Sequence, residues 1–399
     1  NISTGGTITV GGTSTSNTVI VTWNTTGAKA VSVNYTNSAS CSAAAPTVYN
    51  VTVNPVPTPT ITGPSSVCAN STGNVYTTQS GNTNYIWNVS AGGTVTSGGT
   101  TGSNTVTVTW NTAGARTVSV NYTNSANCAA AAPTAFPVTV NSQAAPAITG
   151  PSTACASSAN NQYNTESGNT NYLWNVSSGG VITSGGTSTS NSVTVTWNTV
   201  GPQTVSVNYT NTSLCSAGTP TAFNVTVNPL PTPVIVGNSV LCQNTVNSIY
   251  TTQTGNSDYT WNVSPGGTIV SGGSSNNNTV GVTWNLPGPQ TVSVNYTNPQ
   301  QCDALSPTIF PVTINPVPIP TVTGPVFVCN NTPYNSSLTE GGNNTYSWNI
   351  SAGGTLTSGG GISDNTSVLT WITPGSQTVS VNYLNSFNCT AASPFILNV

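Results

Sequence analysis

Residues 85–111 read YIWNVSAGGTVTSGGTTGSNTVTVTWN, and this stretch decides the fold. Tyr85, Trp87 and Val89 alternate with other residues, and so do Val106, Val108 and Trp110. Period-two alternation with one apolar face is the pattern of a half-buried β-strand. Between the two runs, GGTVTSGG (92–99) reads as a short strand held between glycine turns. Working outward, GNVYTTQ (73–79) comes before it, and TVSVNYTN (117–124) and AFPVTVN (135–141) come after. These place Val118, Val120 and Tyr122 on one face, and Phe136, Val138 and Val140 on another. The opposite positions are mostly Thr, Ser and Asn, and no helical period lasts beyond a turn. About seven short strands with a Trp on the third predict an antiparallel two-sheet sandwich of the immunoglobulin type.

The stretch returns every 87 residues. Trp23, Trp110, Trp197, Trp284 and Trp371 keep that step, as do Trp87, Trp174, Trp261 and Trp348. Cys41, Cys128, Cys215, Cys302 and Cys389 keep it too, and Cys68, Cys155, Cys242 and Cys329 form the fourth series. A fixed period of this kind marks a tandem array. The chain is therefore expected to be all-β, a string of immunoglobulin-like antiparallel β-sandwiches with an 87-residue repeat. The expected units are a partial repeat at 1–54, holding the C-terminal part of a sandwich, then 55–141, 142–228, 229–315 and 316–399. Asn1 stands in the phase of Asn88, directly after a core Trp, and Val399 in that of Val51, inside a final strand. Such a phase is expected of a window cut from a longer fibre.

Composition removes several classes of function. In 399 residues there are two cations (Lys29 and Arg116), five carboxylates, no His and no Met. Two cations cannot build the basic surface that phosphate binding needs, so nucleic acid is excluded as a partner. No apolar run approaches the 18 or so residues of a membrane span. Isopeptide cross-links in every repeat are excluded by the near-absence of Lys, which leaves disulfides as the covalent staple. Paired Cys in a charge-poor repeat point to an oxidising, extracellular compartment. Cys68/Cys128, Cys155/Cys215, Cys242/Cys302 and Cys329/Cys389, each 60 apart, are expected to bridge within a repeat. Spacings of 27 (Cys41 to Cys68) or 147 (Cys68 to Cys215) would instead join neighbours.

The joins share one phase: NPVPTP (54–59), NSQAAP (141–146), NPLPTP (228–233) and NPVPIP (315–320). Pro fixes its own backbone and pushes its predecessor to extended geometry, so these read as short, stiff spacers. Strands of roughly seven residues at ~3.3 Å each, plus loops, give about 40 Å per repeat.

VCAN (67–70), YIWNVSAGGT (85–94), VTVTW (106–110), TVSVNYTNSANC (117–128) and PVTVN (137–141) together resemble the PKD-like domains of Bacteroidota cell-surface proteins. The likeness covers the whole chain, copy by copy. Such domains form long arrays in type IX-secreted adhesins, including gliding adhesins. The resemblance implies secretion, a bacterial cell-surface location, a spacer or adhesive role, and a longer parent chain. It names no ligand and no catalytic residue. One departure matters: the acidic WDFGDG of animal PKD domains is replaced here by WNVSAGG (87–93), so nothing that depends on its Asp is carried over.

The candidate chemistry is sparse. Glu166 and Glu340 share a column with Gln79 and Gln253; Asp258 aligns with Asn84, Asp303 with Ala129, and Asp364 with Ser103. No column keeps a carboxylate in every copy, so a repeated acid/base or calcium site is excluded. Without His there is no Ser–His chemistry, and the chain reads as a non-enzyme without cofactor or metal. Trp87, Trp110, Trp174, Trp197, Trp261, Trp284, Trp348 and Trp371 are in phase with inward Val and are expected in the core rather than on a sugar-binding platform. Tyr35, Tyr122, Tyr209, Tyr296 and Tyr383 are expected as core or corner tyrosines. Thr ladders suit a pleated surface without implying ice binding. The many Asn-x-Ser/Thr triplets follow from composition.

These readings converge on a structural extracellular repeat protein, the rod-like stalk or filament of a bacterial surface adhesin. Its expected partners are neighbouring repeats and, through edges bare of charge, further copies of itself. The competing readings are an adhesive or glycan-binding array, with a surface glycan as partner, and a self-assembling pilin-like or surface-layer subunit.

Overall fold

The computed structural model describes residues 1–333 and 335–399, and among them every regular element is a β-strand. The first 53 residues form two hairpins. The strands β1 (Gly6–Gly11) and β2 (Val19–Trp23) pair with each other, as do β3 (Gly27–Val33) and β4 (Thr47–Val53). The first complete sandwich follows: β5 (Ser66–Cys68), β6 (Ser71–Thr77), β7 (Thr83–Val89), β8 (Gly93–Gly98), β9 (Thr105–Trp110), β10 (Gly114–Thr123) and β11 (Thr134–Asn141). One sheet runs β5-β11-β10-β7 and the other β6-β9-β8. All pairs are antiparallel except β5 with β11, where the first strand lies parallel to the last. The same two sheets recur between Thr153 and Asn228 and between Val240 and Asn315. Between Asn335 and Asn398 two three-stranded sheets take their place. The fold is thus a tandem series of all-β, immunoglobulin/PKD-like sandwiches.

Alternation is obeyed residue by residue. Along β9, Val106, Val108 and Trp110 are buried while Thr105, Thr107 and Thr109 are partly exposed. Trp110 meets Tyr76 edge-on, with ring centroids 6.4 Å apart, and its Nε1–H donates to the Tyr76 hydroxyl at 3.0 Å. Trp197 and Tyr163 repeat this at 3.0 Å, and Trp284 and Tyr250 at 3.1 Å. A buried indole N–H needs such a partner, and here it ties two neighbouring strands of one sheet, β6 and β9, on their inward face. The second Trp series closes the other end of each core. The Nε1–H groups of Trp87, Trp174, Trp261 and Trp348 donate to the carbonyls of Ser103, Ser190, Asn277 and Asp364. Trp174, Trp261 and Trp371 are buried, whereas Trp87 and Trp348 are half-buried.

The Gly pair after the third strand has a packing cause. A Cβ on Gly93 would lie 2.7 Å from the Trp110 ring, and one on Gly180 2.6 Å from that of Trp197. Only hydrogen fits beneath these rings. One expectation fails for the first hairpins. Tyr122, Tyr209, Tyr296 and Tyr383 are buried, but Tyr35 is 75% exposed. The four buried rings each pack on a Tyr of the neighbouring strand, Tyr85, Tyr172, Tyr259 and Tyr346, and residues 1–34 hold no Tyr to do this for Tyr35.

Candidate functional site at the joints between sandwiches

Each sandwich has a beginning and an end, and a cysteine stands at both. Cys68 is the last residue of β5, whose parallel register sets it beside Asn141, the last residue of β11. It therefore lies where its sandwich ends. Cys128 sits in the turn after β10, at the opposite pole. There Asn124 accepts the Ala126 and Cys128 N–H groups at 3.0 Å through Oδ1. Its Nδ2 donates to the Pro55 carbonyl, at the start of the same sandwich, at 3.1 Å.

This geometry overturns the expected pairing. The two cysteines of one sandwich are separated by roughly the length of β10, about 30 Å for ten residues of strand, and a disulfide needs Cα atoms some 4.4–6.8 Å apart. The bonds run instead from the end of one sandwich to the beginning of the next. Cys68–Cys215, Cys155–Cys302 and Cys242–Cys389 have Cα separations of 5.7, 5.6 and 5.6 Å and a sequence spacing of 147. Cys41, Cys128 and Cys329 are free thiols. The expected bridges Cys68/Cys128, Cys155/Cys215, Cys242/Cys302 and Cys329/Cys389 are replaced accordingly.

At each joint the disulfide lies beside the peptide link. Cys68 faces Asn141, while the Cys215 turn holds the very next residue: Asn211 Nδ2 donates to the Ser142 carbonyl at 3.0 Å. Cys155 faces Asn228, and Asn298 Nδ2 donates to Pro229 at 3.1 Å. Cys242 faces Asn315, and Asn385 Nδ2 donates to Pro316 at 2.8 Å. Two covalent strands thus cross every stapled joint. The Pro-rich segments are tied to the sandwich that follows: Thr134, Thr221 and Thr308 hydroxyls donate to the carbonyls of Pro59, Pro146 and Pro233 at 2.7–2.8 Å.

The Asn column was the part that composition concealed. Asn37, Asn124, Asn211, Asn298 and Asn385 keep the 87-residue step, which was visible, but the sequence is so rich in Asn that the column carried no contrast. An Asx turn needs a short side-chain acceptor two residues ahead of the N–H it caps, and Asn supplies it. The residue before each of these cysteines has positive φ: 62° at Ser40, 60° at Asn127, 63° at Leu214, 61° at Gln301 and 60° at Asn388.

Three of the five carboxylates, Glu166, Glu340 and Asp258, have a positional reason. Gln79 accepts the Thr60 N–H at 3.1 Å and donates to the Thr58 carbonyl at 3.2 Å, clamping the start of its sandwich. Glu166 keeps the first contact, from Ala147 N–H at 3.2 Å, and accepts the Tyr209 hydroxyl at 3.2 Å in place of the second. Glu340 does likewise with Thr321 N–H and the Tyr383 hydroxyl, both at 3.1 Å. Burial would raise the Glu340 carboxyl, but hydrogen bonds from Thr321, Thr339 and backbone N–H groups outweigh it and lower it to about 2. Burial, then the Glu340 carboxylate, push the Tyr383 phenol up to about 12. Glu166 is lowered by the same kind of bonds against its burial.

Asp258 occupies a left-handed position, φ 53°, that Asn84 and Asn171 hold elsewhere at 53° and 54°. Asx residues tolerate that conformation, so this Asp has a backbone reason to be there. With Asp303 it lines an open depression together with Thr260, Asn295, Tyr296 and Thr297. Among the described residues no three His, Cys, Asp or Glu side chains converge as a metal site would require.

The fold and its joints define a tandem repeat protein cross-linked along its length, and the disulfides belong to an oxidising, extracellular compartment. The chain belongs to the PKD-like domain family, whose model matches residues 54–138, 141–225 and 228–312. A comparison with curated proteins finds no match. Among solved structures it is similar to the human desmocollin-1 ectodomain, at 10% identity over 93% of this chain and 85% of that one, with a TM-score of 0.23. It is also similar to invasin, a bacterial integrin-binding protein, at 14% identity over 86% of this chain and 78% of that one, with a TM-score of 0.27. A third is the Escherichia coli adhesin FdeC, at 16% identity over 64% of this chain and 96% of that one, with a TM-score of 0.25. At these values the arrangement of successive sandwiches, and anything they bind, must be read from this chain itself.

Proposed function

We propose that the chain is a non-enzymatic, rod-like stalk of a bacterial cell-surface adhesin, of the kind exported by type IX secretion in Bacteroidota. One observation carries the reading: every joint from Asn141 to Asn315 is crossed by a disulfide beside the peptide link. A binding module gains little from such a staple, whereas a spacer that must hold its length gains rigidity at the points where tandem domains usually bend. The placement of the large aromatics supports the stalk over the glycan-binding reading, since Trp110, Trp174, Trp197, Trp261, Trp284 and Trp371 are buried. The units of the stalk are taken as 55–141, 142–228, 229–315 and 316–399, after the partial 1–54.

Lateral assembly into a filament or surface layer is the second reading, favoured by edge strands that carry almost no charge. Against it, β8 and its equivalents carry the same irregularity, between Val95 and Ser97, Ile182 and Ser184, Ile269 and Ser271, and Leu356 and Ser358. A bulge disrupts the ladder an incoming strand would need. Negative-stain microscopy of the purified chain tests both. Single-file rods growing by about 40 Å per repeat are expected from strand geometry. Globular or freely jointed particles would sink the stalk, and bundles whose width grows with concentration would favour assembly.

A further inference from the structure

The connectivity of the disulfides has a mechanical meaning. Cys68 and Cys389 are 321 residues apart along the chain, yet the shortest covalent route between them is far smaller. From Cys68 it crosses to Cys215, follows the chain to Cys242, and crosses to Cys389, so only 27 residues lie on it. Those 27 residues are the last strand of one sandwich (Thr221–Asn228), the NPLPTP segment, and the first strand of the next (Val240–Cys242). They run from the beginning of one sandwich to the end of its successor, the direction in which an array is pulled. The 60 residues between the two cysteines of a sandwich, from Cys155 to Cys215 for example, hold both Trp and most of the core. They hang off this route as a closed side branch.

We infer that the disulfides make the array a nearly inextensible tether, in which the Pro-rich segment with its flanking first and last strands bears tension while the sandwich cores are bypassed. The limits follow from chain geometry. Fully drawn out, 27 residues reach about 90–97 Å, against about 1,060–1,160 Å for 321 residues. Unfolding every core would therefore add almost nothing to the length between Cys68 and Cys389. An array without the bonds would lengthen with each sandwich lost. The property goes beyond a stalk role and does not depend on it, because it concerns only which residues are joined.

The pattern also predicts which bond matters in this chain. Cys155–Cys302 is not on the shortest route, so Cys155→Ser with Cys302→Ser leaves the 27-residue path intact. Cys68→Ser with Cys215→Ser forces the route through Cys155–Cys302 and Cys242–Cys389 and raises it to 147 residues, a gain of about 400–430 Å. Single-molecule stretching of the whole chain, held by peptide tags at its ends, reads these lengths directly. Working in denaturant removes any resistance from folded sandwiches, so a variant that folds poorly still reports its connectivity. The expected order is wild type equal to the Cys155/Cys302 variant, both far shorter than the Cys68/Cys215 variant, and the reduced chain longest. Equal lengthening in the two variants, or an oxidised wild type as long as the reduced chain, would overturn the inference.

Discussion

Replacing Asn211 by Ala isolates the contribution of the Asn column to a joint. The side chain makes three hydrogen bonds: Nδ2 to the Ser142 carbonyl, and Oδ1 from the Ser213 and Cys215 N–H groups, all at 3.0 Å. The residue is half-buried, so water replaces part of what is lost. At roughly 0.5–1.5 kcal/mol net for each bond, the loss should come to about 2 kcal/mol of local stability. Native-state hydrogen exchange is the fitting assay, because the damage should be confined to one turn. Two amides report opening of the turn without touching the deleted group. They are Asn211 N–H, bonded to the Cys215 carbonyl at 3.0 Å, and Leu214 N–H, bonded to the Asn211 carbonyl at 2.9 Å. Their exchange should quicken by about thirtyfold, as 2 kcal/mol implies at 1.4 kcal/mol per tenfold. Asn211→Asp keeps both accepted bonds and loses only the donor to Ser142, one bond of three, so it should cost about a third as much. Exchange within threefold of wild type in Asn211→Ala would refute the reasoning. So would an Asp variant as damaged as the Ala one, which would mean that the two accepted bonds contribute nothing.

Three further outcomes are expected. Gly180→Ala drives a methyl to 2.6 Å from the Trp197 ring and 2.8 Å from Val176, and denaturant unfolding followed by Trp fluorescence should show a loss of about 1–3 kcal/mol. Leu214→Asn should stabilise by about 1 kcal/mol, because Leu214 is 81% exposed at φ 63°, a conformation costly for Leu and tolerated by Asn; no rise in melting temperature would contradict this. Glu340 should make the last sandwich acid-sensitive. Its folded value of about 2 lies below the ordinary 4.5, so the stabilisation is full above 4.5 and is lost as pH falls through about 2. Solvent exposure of the carboxylate limits it to about 1 kcal/mol, and Glu340→Gln should flatten the pH dependence of stability in that window.

Much of this was legible in the sequence for a simple reason. Period-two alternation reflects a local fact, that successive side chains in a strand point to opposite faces, so Val106, Val108 and Trp110 announce their face without knowledge of the partner sheet. The Gly pair at 92–93 was legible as a turn, but its second member is fixed by the Trp110 ring above it, a contact made seventeen residues away. Asn211 and its column were hidden because their role depends on where a turn meets the preceding joint. Asp258 likewise makes sense only once its backbone is seen to be left-handed.

The sequence by itself determined the 87-residue repeat, the inward faces of the strands and the oxidising setting that nine regularly spaced cysteines imply. It could not choose among spacings of 27, 60 and 147, because loop length says nothing about which ends of a sandwich two residues occupy. The tertiary structure decided that. The parallel pairing of β5 with β11 carries Cys68 to the end of its sandwich, and the turn after β10 carries Cys128 to the beginning. A disulfide reaches only a few ångströms, so each cysteine at an end bonds across the joint to the beginning of the next sandwich, and a series of separate domains becomes one continuous cross-linked chain.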